Sequence, residues 1–129
     1  MRVDLKQKIL LSFYLEYQKD SSNLMDIDHH IIGVEPDLFV SALEKLENEE
    51  LIIYELTYPS ANPKIVSYVA ITRRGIDYIE NKFGIDSVLS GPEKVSKAVM
   101  SLKHSAEISK LLANLHIPVP VCNRNRVSI

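Results

Sequence analysis

The residue types best suited to chemistry cluster at Asp26-Ile27-Asp28-His29-His30, two carboxylates and two imidazoles within five positions. Such groups bind metals, but neighbouring side chains on a helix point about 100° apart and no i,i+4 histidine pair exists, so the spacing does not suit a metal centre. Surface histidines near the start of a turn are the simpler reading, placed to touch a phosphate where DNA is bound. The single cysteine, Cys122, can form neither an internal disulfide nor a cysteine-based zinc site. No Gly-rich phosphate loop, nucleophile elbow or His-Glu-x-x-His occurs, so neither an enzyme nor a cofactor is expected.

Charge placement says more than the net value of −2. Residues 1–91 carry 9 Lys+Arg against 15 Asp+Glu, whereas residues 92–129 carry 6 against 2. An acidic body with a basic tail usually marks a partner surface. Within residues 35–50 the acids Glu35, Asp37, Glu44, Glu47, Glu49 and Glu50 are opposed by Lys45 alone. Arg73-Arg74 falls at what reads as the first turn of a helix, where each cation opposes the macrodipole by ~0.3–1 kcal/mol. Phosphate or an acidic partner would offset that cost; so would a nearby carboxylate such as Asp77 or Glu80.

These residues need elements to position them. Leu5, Ile9, Phe13 and Tyr17 recur every four residues, with Leu10 and Leu11 widening the stripe, which predicts a helix over residues 4–19 capped by Asp4. Residues 24–32 leave room for one short helix, or a brief strand and turn, closed by Gly33. Pro36 and Asp37 suit the start of a helix that buries Phe39, Ala42, Leu43 and Leu46 and runs to Asn48. The period then changes to two: Ile52, Tyr54, Leu56 and Tyr58 make one apolar strand face, and a second strand over residues 65–71 pairs antiparallel with it. Thr72 caps a further helix with Ile76, Ile79 and Phe83 on one side and Gly84 as its stop. Leu5, Ile9, Phe13, Phe39, Leu43, Leu46, Ile76, Ile79 and Phe83 should therefore converge as the core.

The 129 residues fit one domain, and 46% hydrophobic with 25% charged residues is the balance of a globular chain. No apolar run approaches the ~20 residues of a membrane span, and Met1 to Lys6 lacks the apolar core of a signal peptide. A cytoplasmic protein is the expectation.

Helix, short helix, helix, hairpin, helix is the order of a winged helix-turn-helix domain. The stretch Gly33-Val34-Glu35-Pro36-Asp37-Leu38-Phe39-Val40-Ser41-Ala42-Leu43-Glu44-Lys45-Leu46-Glu47-Asn48-Glu49-Glu50-Leu51-Ile52 resembles the turn, recognition helix and first wing strand of MarR-like regulators, with Glu50 where a glycine is usual. Ile71-Thr72-Arg73-Arg74-Gly75-Ile76-Asp77-Tyr78-Ile79-Glu80 is similar to the segment that follows the wing, and the short piece before Gly33 resembles the small YjcQ-like winged-helix proteins of Gram-positive bacteria and their phages. The resemblance covers roughly residues 4 to 84. It implies a mainly α fold with a small β-hairpin wing and, in DNA-binding members, a recognition helix in the major groove. Carried over, the groove-facing candidates are Asp37, Val40, Ser41, Glu44 and Lys45, with Lys64 at the wing and Arg73 and Arg74 against phosphate. A helix this acidic departs from that role, because duplex DNA carries one negative charge per ~1.7 Å of axis.

Outside the resemblance, residues 85–91 read as a connector and residues 116–129 as an extended or disordered tail. Residues 92–115 read as one long additional helix, about 36 Å at 1.5 Å per residue. Val95, Val99 and Leu102 lie on one stripe and Ile108, Leu111, Leu112 and Leu115 on another, rotated away from the first. A helix apolar on two sides is usually buried between two bodies, so these seven residues are the expected homodimer interface. The leading expectation is a homodimeric DNA-binding transcriptional regulator. The rival is a winged-helix module that binds a protein partner and not DNA.

Overall fold

The computed structural model describes residues 3–57, 65–102 and 106–117. Helix α1 (Leu5–Tyr17) opens with a capping box, the Asp4 carboxylate accepting from the Gln7 N–H at 2.8 Å and the Gln7 side chain accepting from the Asp4 N–H at 3.0 Å. The expected four-residue stripe understates its burial. Ile9 through Glu16 are all buried, and Tyr17 is exposed. α1 runs through the middle of the molecule, and a helix covered on every side needs no single apolar face. Its two interior polar residues are satisfied: Ser12 donates to the Lys8 carbonyl at 2.8 Å, and Glu16 accepts from the Asn23 N–H at 3.0 Å and from Lys19 at 2.9 Å.

A 3-10 turn (Leu24–Asp26) and the one-turn helix α2 (His29–Ile32) occupy the short segment before Gly33, which ends α2 at φ 86. α3 (Pro36–Asn48) starts on Pro36 and buries Phe39, Ala42, Leu43 and Leu46, as its periodicity predicts. Its end is a Schellman turn: the Glu50 N–H donates to the Glu47 carbonyl at 2.8 Å and the Leu51 N–H to the Leu46 carbonyl at 3.0 Å. Glu50 holds the left-handed position of that turn at φ 63, a conformation that favours glycine.

Strands β1 (Ile52–Thr57) and β2 (Ile65–Ile71) form an antiparallel hairpin. Ile52, Tyr54 and Leu56 face inward, and Ile53, Glu55 and Thr57 face solvent. The register shifts between Glu55, paired with Tyr68, and Leu56, paired with Val66, which makes Ser67 a bulged extra residue.

α4 (Arg73–Phe83) is clamped onto the junction of α3 and β1. The Thr72 hydroxyl accepts from the Gly75 N–H at 3.0 Å and donates to the Glu50 carbonyl at 2.7 Å, while the Thr72 N–H donates to the Leu51 carbonyl at 3.1 Å. A Cβ on Gly75 would collide with the Leu51 carbonyl oxygen and lie 2.9 Å from Ile71 Cγ1. Close approach of two backbones, not an unusual φ, is what demands glycine there.

Within the expected helix over residues 92–115 the described residues are helical at α5 (Gly91–Leu102) and α6 (Ala106–Asn114), and residues 103–105 lie outside the described residues. α5 lies against α4 and α6 against α2, and their apolar residues join a single core with Ile9, Phe13, Leu43 and Ile79. The start of the expected tail also belongs to this core: Ile117 is buried, and its N–H donates to the Leu112 carbonyl at 2.9 Å. Of the nine predicted core residues, Leu5 and Ile76 are only partly buried; the other seven are inside. The architecture is mainly α with one small hairpin. Among the described residues no helix is long and apolar enough to cross a membrane.

Candidate functional site

The outer side of α3 carries more exposed acids than cations. Asp37, Ser41, Glu44, Lys45 and Glu47 are exposed along it, together with Leu38, which is 50% exposed. Glu49 and Glu50 extend the acidic surface past the helix end, and both engage cations from neighbouring elements. Lys6 of α1 donates to Glu49, whose carboxylate holds the ammonium pKa above its ordinary value against the opposing effect of burial. Arg74 of α4 lies 3.6 Å from Glu50. Arg73 pairs with Asp77 one turn along its own helix at 3.3 Å. The arginine side chains remain 79% and 69% exposed, so these pairs contribute only ~0–1 kcal/mol each.

Of the residues expected to meet DNA, Asp37, Ser41, Glu44 and Lys45 lie exposed on α3, Val40 is half-buried, and Arg73 and Arg74 lie exposed at the start of α4; Lys64 falls outside the described residues, as does Cys122. The four histidine-segment side chains serve local structure. The Asp28 carboxylate caps α2, accepting from the His30 and Ile31 N–H groups at 3.0 and 3.1 Å, and the His29 and His30 rings lie tilted at 36° with centroids 4.0 Å apart. Among the described residues no three His, Cys, Asp or Glu side chains converge to hold a metal ion.

The expected dimer surface is interior. Val99, Leu102, Ile108, Leu111, Leu112 and Leu115 are buried, and Val95 is partly buried, all within one chain. The chain's own elements cover these side chains, α2 packing against α6 and α4 against α5.

One group of buried polar residues escaped the sequence reading. Glu80, offered as a partner for the arginines, points inward, where it accepts from the Tyr14 hydroxyl at 2.9 Å and from Lys94 at 2.8 Å. Its position was a clue: four residues after Ile76 and three before Phe83, it shares the apolar side of α4. Burial, and then the Glu80 hydrogen bond, push the Tyr14 phenol well above its ordinary acidity range.

No protein-family model, curated protein or solved structure matches this chain.

Proposed function

We propose that the chain is a winged-helix protein whose α3 face binds a basic protein surface and does not read duplex DNA. The observation that carries this reading is the charge around α3. Its exposed acids surround a single Lys45, and the cations nearest its end, Lys6 and Arg74, are paired with Glu49 and Glu50. Phosphate approaching this face meets net repulsion, whereas a Lys- or Arg-rich surface meets complementary charge with Leu38 as an apolar anchor.

Duplex DNA is the second reading, favoured by the exposure of Arg73 and Arg74. In it, Ser41 and Lys45 face the groove and Arg73, Arg74 and Lys64 hold phosphate. One pair of titrations separates the two. The chain is expected to retain a Lys/Arg-rich peptide, to lose about tenfold in affinity on combined Glu44→Lys and Glu47→Lys substitution, and to retain no duplex from a random pool at low salt. Duplex retention whose log–log salt slope falls by about one on Arg73→Ala would transfer the assignment to DNA.

A further inference from the structure

A cavity of about 270 Å³ lies between α1, α3 and β2. Phe13, Ile27, Phe39, Leu43, Val66 and Val69 form its walls, and Phe13, Phe39 and Leu43 belong to the central core. Protein interiors are close-packed, and an apolar space of ~150 Å³ already admits benzene or xenon. The space here is larger, yet falls just short of the ~300 Å³ at which drug-sized pockets begin. It matches a molecule of one or two rings.

A second observation comes from the strand that closes it. Along β1 the inward residues pair with Ile71, Val69 and Val66, because the bulge at Ser67 shifts the alternation of β2 by one residue. Without the bulge, Ser67 would follow Val69 on the cavity side. With it, Val66 lines the cavity and the Ser67 hydroxyl donates to the Glu55 carbonyl at 3.3 Å. Bulges re-aim side chains in this way at functional sites. The result is an apolar wall where strict alternation would put a hydroxyl.

Among the described lining residues the polar ones are Asp28 and His29, beside exposed Met25. Asp28 is held by its two backbone hydrogen bonds to α2, so its carboxylate is fixed at the rim. That anionic rim disfavours an anionic ligand and accepts a hydrogen-bond donor. We infer that the cavity binds a neutral, ring-sized apolar molecule with one N–H or O–H group directed at Asp28. The site stands independently of what α3 binds outside, although its occupant would touch Phe39 and Leu43 on the inner side of that helix.

Indole is a suitable probe, since the chain has no tryptophan and the emission of added indole can be followed directly. Titrated with the full-length protein, indole should bind, its emission moving to the blue, and benzoate should compete at least about tenfold more weakly. Val66→Phe and Val40→Phe, which each place a ring into the space from a different element, should weaken indole by about tenfold or more while holding or raising the melting temperature. Failure of the wild type to bind indole, binding that neither ring weakens, or benzoate binding as tightly would overturn the inference. So would a fall in melting temperature in both variants, because it would mean that the space is already filled.

Discussion

Lys94 of α5 meets Glu80 of α4 at 2.8 Å with only 14% and 5% of the two side chains exposed, and the same carboxylate oxygen accepts from Tyr14 of α1. One buried carboxylate thus ties the C-terminal layer to the central helix. Removing one partner of such a pair leaves the other charge without compensation. Glu80→Ala is expected to cost ~3–5 kcal/mol in urea unfolding. Glu80→Leu combined with Lys94→Met should recover much of that loss, because the desolvation penalty of both ions disappears. A double variant no more stable than Glu80→Ala would mean that the pair does more than satisfy its own charges.

Tyr14 gives the same site a signature in alkali. Its folded-state pKa lies above the unfolded value near 10, chiefly through burial and then through Glu80. The protonated phenol therefore stabilises the fold fully below pH ~10, and the contribution is lost as pH rises above it. Tyr14→Phe should cost ~1.5–3 kcal/mol at neutral pH, since the hydrogen bond goes to a charged acceptor. Between pH ~9 and 11.5 the variant should lose stability less steeply than the wild type, read by denaturant midpoints across that window. Parallel slopes would place the phenol in water.

Glu50 holds a left-handed backbone position at φ 63, which favours glycine. A non-glycine residue there carries roughly 1–2 kcal/mol of strain. Glu50→Gly forfeits the exposed pair with Arg74, worth ~0–1 kcal/mol, and should still stabilise the protein by about 0.5–1 kcal/mol. Glu50→Val should destabilise it. Thermal melts of the two variants give opposite signs if the turn is as described.

Gly75→Ala adds only a methyl group, but that methyl meets the Leu51 backbone carbonyl and Ile71. A loss of ~1–3 kcal/mol is expected, with the damage concentrated where α4 docks on the hairpin. Hydrogen exchange should show the Thr72 and Leu51 region opening first. An alanine tolerated without loss would require the start of α4 to stand further from β1.

Much of the fold was legible because its signals are local. Asp4, Pro36, Thr72, Gly33 and Gly84 each set a boundary through hydrogen bonds or dihedral angles that involve only a few neighbouring residues. Periodicity likewise placed Phe39, Leu43 and Ile79 in the core. The exposed acids of α3 were visible too, since a charged residue between apolar positions has little choice of side. What only the tertiary structure decided depends on which elements converge. α1 is buried all round because helices and strands close over every face of it, and Tyr17 escapes because it lies at the open end. Residues 92–115 were read as awaiting a second subunit, since two rotated stripes imply two bodies; the apolar residues of both α5 and α6 are instead buried in the chain's own core, which depends on where α2 and α4 lie. Glu80 turns inward because Tyr14 and Lys94, distant in sequence, arrive together to satisfy it. The cavity depends on a one-residue bulge in β2, and strand alternation carries no mark of where that extra residue falls.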